Sequence, residues 1–320
     1  MIQQDDNIHN LKNQEILLDL KNGKVTPWQV KKMSSLKVAQ SYGRLGFQKK
    51  YDRICSCGDY LEFAVNSSTM EMKLKTAYFC RERLCSMCIW RKSLKVFHKL
   101  SQVVDEYKTI FSSHHGIMLN LTVKNCIGDN LKITVDKMML GWKNLSNQRI
   151  FKKAIKGWFR SLEITYNKET SEFHPHFHCI LFVDKDYYKE KYIDIYEWVQ
   201  LWKSSLGIEY DPITWVEKIK TNKRKKSIIA ELSKYVVKDK QILVDSDDKQ
   251  DEIILFLTSA LRGRRIYAFG GDLKEIAKKL GKEDLEQGDL IQVGDEIRTD
   301  IFDMIERYRW NIGYSNYYKI

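Results

Sequence analysis

The spacing of the cysteines constrains this chain most. Five of its seven cysteines fall within a stretch of 34 residues: Cys55, Cys57, Cys80, Cys85 and Cys88. Closely spaced thiolates suit tetrahedral zinc, because the short loop between two ligands needs little additional ordering. Since zinc takes four ligands, we expect a structural Zn²⁺ site made by four of the five, and the spacing does not indicate which four. The alternative is that they are ordinary buried cysteines.

Reduced thiols are expected because nothing in the sequence indicates export. Residues 1–7 contain neither a basic region nor an apolar run of the kind that opens a signal peptide. The longest apolar runs, such as 179–183 and 253–257, are far shorter than the roughly 20 residues that span a bilayer. The sequence therefore predicts a cytoplasmic protein without a membrane segment. Cys126 and Cys179, each alone in an apolar context, are expected in the core.

The positive charge is unevenly distributed. The chain has 54 Lys and Arg against 42 Asp and Glu, a net charge of +12. Residues 245–271 carry a net −1 and residues 272–320 a net −3, so residues 1–244 carry +16. Such a surplus favours a polyanionic partner such as DNA, although a solvated surface would also explain it. The candidate DNA-binding residues lie in two dense basic blocks and are Arg81, Arg83, Arg91, Lys92, Lys223, Arg224, Lys225 and Lys226.

The hydrophobic pattern predicts a mixed fold. Residues 90–111 repeat apolar positions every three or four residues, as in an amphipathic helix, whereas 116–123 alternate as in a strand. A hairpin over 158–183, further helices and a candidate strand at 264–269 follow, which predicts an α+β fold with helices on one face of the sheet. We divide the chain into an N-terminal polar and helical segment (1–50), a cysteine-rich zinc module with its following helix (51–112), a main domain (113–275) and a mainly helical C-terminal segment (276–320).

Three histidines alternate along the second strand of the hairpin, at His174, His176 and His178. Alternation puts them on one face, but residues four apart on a strand lie about 13 Å apart, so one ion can take His176 and one neighbour. A turn centred between residues 169 and 170 pairs Glu163 with His176 on that face. One carboxylate and two imidazoles suit Mg²⁺ or Mn²⁺. The alternative is an unligated polar stripe, and a register error of one residue would send Glu163 to the opposite face.

The predicted helix at 226–237 carries a candidate nucleophile. Glu231 and Tyr235 are four residues apart and therefore neighbours on the helix surface, and Lys238 lies close behind them. A phenol, whose ordinary pKa is about 10, needs a metal, a cation or a base nearby to react at neutral pH. Lys238 or Glu231 could serve. The alternative is that Tyr235 packs in the core beside solvated lysines.

Taken together, these segments resemble the rolling-circle replication initiators of small Gram-positive plasmids, members of the HUH (His-hydrophobic-His) endonuclease superfamily. The resemblance rests on five motifs in the family's order, at 79–91, 119–125, 174–178, 231–238 and, more weakly, 264–271. It implies a ferredoxin-like or RRM-like antiparallel core. Each motif alone is modest, and their ordered co-occurrence is specific.

The resemblance also implies roles for particular residues. His176 and His178 would be the paired metal ligands, and Tyr235 the nucleophile that nicks one strand of the double-strand origin. Glu231 would act as the general base that activates water at termination. Asn120 stands where the family pattern has Thr. We expect no contact between this residue and a proposed metal ligand. The implied partners are plasmid origin DNA, both duplex and single-stranded, together with the host helicase and replication machinery.

Two rival functions use the same features. A conjugative relaxase or a single-strand transposase of the same superfamily would use the same metal pair and tyrosine on another DNA site. A zinc-finger DNA-binding regulator would need only the basic cysteine region, and the histidine strand would then be incidental. Trp215 is a candidate for stacking on bases, but the sequence favours a place for it in the core.

Overall fold

The computed structural model describes residues 15–21, 23–219, 228–233, 242–294 and 301–320, and it divides into two units. Unit 1 comprises residues 1–91 and 289–320, and unit 2 comprises residues 92–288. The strands are β1 Leu20–Lys21, β2 Lys24–Val25, β3 Tyr60–Val65, β4 Met72–Ala77, β5 His115–Thr122, β6 Ile155–Asn167, β7 Glu172–Val183, β8 Thr214–Lys218, β9 Tyr267–Gly271, β10 Met304–Asn311 and β11 Asn316–Lys319. The helices are α1 Trp28–Arg44, α2 Gln48–Cys55, α3 Ser86–Ile110, α4 Gly128–Asn147, α5 Arg149–Ala154, α6 Tyr187–Glu190, α7 Ile195–Leu206, α8 Asp247–Leu261 and α9 Asp272–Lys279.

Unit 1 contains a four-stranded antiparallel sheet in the order β11, β10, β3, β4. Its central strands alternate buried and half-buried or exposed residues, as expected where one face covers a core. The expectation of a mainly helical C-terminal segment is wrong over residues 304–319, which form β10 and β11. Alternating apolar residues there, including Tyr308 and Trp310, follow the period of a strand and are buried in this sheet.

Unit 2 contains a five-stranded antiparallel sheet in the order β8, β5, β7, β6, β9. Helices α4 and α7 cover one face, where Trp142 and Trp202 both contact the ring of Phe177 on β7. On the other face, Tyr107 of α3 contacts Phe182, so the expectation of helices on one face only is wrong. The fold is therefore α+β, as the hydrophobic pattern predicts, and its sheets are antiparallel, as the resemblance implies. Helix α7 begins with a reciprocal capping box between Asp194 and Glu197.

The long hairpin of β6 and β7 has the register that the sequence predicts. Glu163 lies opposite His176, and the pairing continues to Asn167 opposite Glu172. Directly opposite residues of an antiparallel pair share a face. Glu163, His176 and His178 therefore lie on the face opposite Phe177, which we call the metal face.

Among the residues that the structure describes, no helix combines the length and the apolar character needed to cross a membrane.

Candidate metal centres

Glu163, His176 and His178 bring three ligand atoms together on the metal face. Nε2 of His178 lies 2.9 Å from Oε2 of Glu163 and 3.1 Å from Nε2 of His176, and the third side of the triangle is 3.6 Å. Glu163 is only 4% exposed. Burying a carboxylate costs free energy of desolvation unless a cation or hydrogen-bond donors compensate it. A cation bound at this triangle would supply that compensation.

The other nitrogen of each imidazole is already engaged. Nδ1 of His176 lies 3.1 Å from the carbonyl oxygen of His174, and Nδ1 of His178 lies 2.8 Å from Oδ1 of Asn120. Both partners are acceptors, so both Nδ1 atoms donate a hydrogen to them. In the neutral rings this leaves a lone pair on each Nε2, pointing toward the other Nε2 and toward a carboxylate oxygen. Such an arrangement suits a shared cation.

The distances fit a divalent ion. Ligands about 2.1 Å from a six-coordinate ion lie about 3.0 Å apart when they are adjacent. The triangle measured here, with sides of 2.9, 3.1 and 3.6 Å, is close to one face of such an octahedron. Two imidazoles and a carboxylate on one face leave the remaining positions open for water or substrate oxygens.

His174 stands beside this group. Its ring centroid lies 5.2 Å from that of His176, and its backbone carbonyl accepts the His176 hydrogen bond described above. Burial, followed by the neighbouring imidazole of His176, lowers the pKa of His174 below its usual range. The side chain of His174 is not part of the ligand triangle.

Asn120 is the residue that sequence reasoning missed at this site. The expectation that Asn120 contacts no metal ligand is wrong, because its amide oxygen accepts a hydrogen bond from Nδ1–H of His178. Asn120 lies directly opposite His178 across the β5–β7 ladder. Only the pairing of these two strands could have indicated this contact, and the sequence pattern did not show which strand lies beside β7.

The candidate nucleophile Tyr235 and Lys238 lie outside the described residues. Just before them, residues 228–232 are helical, and Glu231 in this turn is half-buried. The hydroxyl of Tyr267 on β9 donates to the carbonyl of Ser233 at 3.4 Å. Tyr267 is directly opposite Ser161, two residues before Glu163 on the same face of β6. Ser233 therefore lies on the metal face.

The second candidate centre is a group of four buried cysteines in unit 1, Cys57, Cys80, Cys85 and Cys88. Three of the distances between their sulfur atoms are 3.5, 3.6 and 3.7 Å. A zinc ion with four thiolates at about 2.3 Å places neighbouring sulfurs about 3.8 Å apart, so the group is close to the required tetrahedron. Backbone N–H groups of Cys80 and Arg81 donate to two of the sulfurs, at 3.4 and 3.1 Å, as expected around thiolate ligands.

Cys55 is the predicted cysteine that stands apart. It is half-buried, lies outside the four-sulfur group, and burial raises the pKa of its thiol. Its backbone carbonyl nevertheless supports the site, because the fully buried Nζ of Lys32 donates to the carbonyls of Cys55 and Cys57 at 2.6 and 3.0 Å. Lys32 thus holds the turn that carries Cys57.

Two residues of the predicted DNA-binding set are not surface groups. Arg91 is 3% exposed and Lys92 is 8% exposed, so the expectation that they face DNA is wrong. The guanidinium of Arg91 donates to the carbonyls of Leu290 and Ile291 at 2.9 and 2.5 Å. It also lies over the ring of Trp28 at 5.3 Å. A sequence pattern cannot distinguish a lysine or arginine that serves carbonyls of its own chain from one that is free to meet phosphate.

Helix α3, which carries Arg91 and Lys92, has further basic residues that donate to backbone carbonyls of the same chain. Within unit 2, Lys95 donates to the carbonyl of Gln287, and Lys99 donates to that of Asp284 at 2.8 Å. Of the first predicted block, Arg81 is exposed and Arg83 is half-buried. The second block, residues 223–226, lies outside the described residues.

Trp215 does not lie in the core, contrary to the expectation. It is 44% exposed on β8, the edge strand of the unit 2 sheet. Its position in the ladder, directly opposite Asn120, puts it on the metal face.

A family model and individual relatives all match this chain to replication proteins over most of its length. The family model described as "Replication protein" (Rep_1) matches residues 71–318. Three similar relatives, each described as "Protein rep", are a Bacillus amyloliquefaciens protein (34% identity, 92% of this chain and 94% of the relative), a Lactiplantibacillus plantarum protein (33%, 93% and 96%) and a Streptococcus pneumoniae protein (35%, 88% and 88%). No solved structure matches the chain.

The family match covers more than half of the chain, including the Glu163, His176 and His178 triangle and three of the four grouped cysteines, and the relatives align over most of their length. The resemblance of the motifs to plasmid rolling-circle replication initiators is thereby confirmed, and the chain belongs to the Rep_1 family of replication proteins.

Proposed function

We propose that this protein initiates rolling-circle replication by nicking one strand of its plasmid's double-strand origin with Tyr235. The observation that carries the proposal is the convergence on one sheet face of the Glu163, His176 and His178 triangle with Ser233, two residues before Tyr235. The family membership supports replication initiation, and this convergence supports a nuclease as the way it is done.

The proposed reaction is a transesterification. The phenolic oxygen of Tyr235 loses its proton and forms a bond to the scissile phosphorus, and the bond from that phosphorus to the 3′ oxygen breaks. The 3′ oxygen leaves and takes up a proton, which yields a 5′-phosphotyrosine and a free 3′-hydroxyl primer. Because one phosphate ester replaces another, the 5′-phosphoryl end held by Tyr235 can later be transferred to a new 3′-hydroxyl at termination.

The residues around the phosphate have separate tasks. Glu163, His176 and His178 would hold a Mg²⁺ or Mn²⁺ ion, which supplies Lewis-acid polarisation of the phosphate oxygens when it is bound. Lys238 would stabilise the phenolate of Tyr235 during attack. Glu231, half-buried four residues before Tyr235, would accept the proton of a water molecule when a round of replication terminates.

The fold and the cysteine group fit the same proposal. An antiparallel sheet with α4 and α7 packed on one face and the ligand triangle on the other supports an HUH core of the ferredoxin-like or RRM-like kind. The four buried sulfurs support a structural Zn²⁺ site, since four thiolates leave no open position for chemistry.

DNA contacts would come from basic residues of the two blocks identified in the sequence. We retain Arg81 and Arg83 near the cysteine group and Lys223, Arg224, Lys225 and Lys226 before the nucleophile, and we leave out the buried Arg91 and Lys92. Contacts of this kind bind phosphate without reading sequence. The expected partners remain origin DNA, as duplex and as single strand, and the host helicase and replication machinery in the cytoplasm.

The direct test is incubation with supercoiled plasmid that carries the protein's origin, in the presence of Mn²⁺. Nicking together with a covalent DNA adduct mapped to Tyr235 is the expected result, and Tyr235→Phe should abolish both. A regulator that only binds DNA would shift the plasmid in a gel without nicking it. A relaxase or transposase would nick a different DNA site.

Two further variants separate the roles at the site. We expect His176→Ala to lose cleavage, and full activity of this variant would refute the proposed ligand set. Glu231→Ala should nick normally but terminate poorly. Equal loss of both steps would show that Glu231 positions the helix instead.

A further inference from the structure

We propose that Trp215 is a stacking platform for an unpaired base of the cleaved strand, next to the phosphate held at the metal face. The inference rests on the proposed function, and it names a contact that determines how the single strand lies across the sheet. It is carried by the exposure of Trp215, by its position in the strand register and by the chemistry of its surroundings.

The exposure of Trp215 distinguishes it from the other tryptophans. All eight lie in the described part of the chain, and the other seven are buried or half-buried, whereas Trp215 is 44% exposed. Trp142 and Trp202, for example, pack against Phe177 of the sheet, and Trp198 packs against Phe151 of α5. Tryptophan is usually highly buried, so a partly exposed indole on the sheet face that carries the ligand triangle is a candidate binding group.

The register places Trp215 in line with the metal triangle. Trp215 is directly opposite Asn120, which is directly opposite His178, so the three side chains form one row across β8, β5 and β7 on the metal face. Neighbouring strands are about 4.8 Å apart, so Trp215 and His178 are separated by roughly 10 Å across the sheet. Stacked nucleotides advance about 3.4 Å each, so a base on Trp215 would lie within about three nucleotides of the phosphate at the triangle.

The surroundings favour nucleic acid as the occupant. Beside this edge of the sheet, the exposed Lys124 follows β5, with its ammonium 4.4 Å from the ring centroid of Tyr210. Tyr210 is half-buried, whereas the exposed ammonium of Lys124 can reach a phosphate of a strand whose base stacks on an aromatic ring. A base inside duplex DNA is stacked on both faces and has neither free for the indole, so the platform would select the strand that is already unpaired at the nick.

The test compares two fluorescent 12-mers, an oligothymidylate and a strand of the same length with abasic sites throughout, by anisotropy in Mn²⁺. Wild-type protein should prefer the oligothymidylate. Trp215→Ala should weaken oligothymidylate binding about 5- to 100-fold while leaving abasic binding unchanged, since stacking requires the base. Trp215→Phe should retain most of the affinity. Tyr196→Ala is the matched control, because Tyr196 is 68% exposed but lies on α7, in the helix layer.

The outcomes separate this inference from the proposed function. If Trp215→Ala binds both probes like wild type, or weakens both equally, the stacking platform is refuted, and nicking by the wild-type protein would leave the proposed function standing. If wild-type protein neither nicks origin plasmid nor binds either probe, both fall. A loss confined to the oligothymidylate, spared by Trp215→Phe and Tyr196→Ala, supports the platform.

Discussion

Asn120 determines which way the imidazole of His178 faces. Its amide oxygen receives the Nδ1–H of His178 at 2.8 Å, which turns Nε2 toward Glu163 and His176. The backbone carbonyl of His174 does the same for His176. Partners of this kind fix the tautomer of a ligand and raise its basicity, and their loss typically weakens metal binding 10- to 100-fold.

We therefore expect Asn120→Leu to bind Mn²⁺ about 10- to 100-fold more weakly than the parent protein, as measured by calorimetric titration. Asn120→Asp keeps an acceptor for His178 and is the control, with near-parental affinity expected. Unchanged affinity in Asn120→Leu would show that the hydrogen bond does not orient the ligand.

Two cysteines, one inside the four-sulfur group and one outside it, allow a matched test of the zinc site. Cys88 belongs to the buried four-sulfur group, whereas Cys55, only two residues before Cys57, does not. We expect purified protein to contain one zinc ion per chain, which Cys55→Ser keeps and Cys88→Ser loses. Because a structural zinc contributes folding free energy, Cys88→Ser should also unfold at lower urea concentration. Elemental analysis and urea unfolding measure these results, and zinc-free wild-type protein would contradict the assignment.

At the scale of elements, the hairpin of β6 and β7 decides whether the metal triangle exists. Side chains alternate between faces along a strand, so a slip of one residue would send Glu163 to the face occupied by Phe177. The turn at 168–171 sets the pairing of Glu163 with His176, and β5 on the other side of β7 adds Asn120. Strand pairing thus brings the site together, since β6 supplies Glu163, β7 supplies the two histidines and β5 supplies Asn120.

In unit 1 a charged pair links β3 to β10. Glu62 lies directly opposite Arg307, with 2.9 Å between the guanidinium Nε and the carboxylate Oε2. The hydrogen bond from Arg307 holds the pKa of Glu62 below its usual range. A carboxylate whose pKa is depressed by folding contributes stability above its ordinary pKa, and this contribution is lost as pH falls through the lowered value.

Glu62→Gln should therefore reduce the dependence of the free energy of unfolding on pH below about pH 4.5, where the unfolded carboxyl begins to take up protons. The wild-type protein should lose more stability on acidification than the variant. Urea unfolding at a series of pH values measures this difference. Glu71→Gln, which removes a carboxylate between β3 and β4, is the control, and parallel pH profiles for wild type and Glu62→Gln would contradict the argument.

At the scale of the whole molecule, the charge distribution matters more than its sum. The +16 of residues 1–244 includes buried cations such as Arg91 and Lys32, whose donors serve carbonyls of the chain itself. The charge available to DNA is therefore smaller than the count suggests. The block at 223–226 remains our main candidate for phosphate contacts.

Replacing Lys223, Arg224, Lys225 and Lys226 by Gln should make binding of single-stranded DNA less sensitive to salt. Each phosphate contact contributes about 0.7 to the slope of log affinity against log salt concentration, so loss of all four should reduce the slope by up to about three. Replacing Lys274, Lys278, Lys279 and Lys282 removes the same charge from the acidic part of the chain and is the control. Equal slopes in the two variants would show that only net charge matters.

Much of both candidate centres was predictable from local spacing. The alternation of His174, His176 and His178 and the length of the preceding turn were enough to pair Glu163 with His176, because both depend on residues close in sequence. The cysteine spacing predicted a four-ligand group but could not single out Cys55. The C-terminal strands were missed because their partner, β3, lies more than 200 residues earlier in the chain.

The sequence by itself determined the family, the metal-face motif and the cysteine group, since each is written in short-range spacing. Only the tertiary structure decided that Asn120 orients His178, that Arg91 and Lys92 are buried, and that Trp215 is exposed in line with the metal triangle. The physical reason is the same in each case. Burial and cross-strand pairing depend on which distant segments become neighbours, and a side chain's own sequence context does not specify those neighbours.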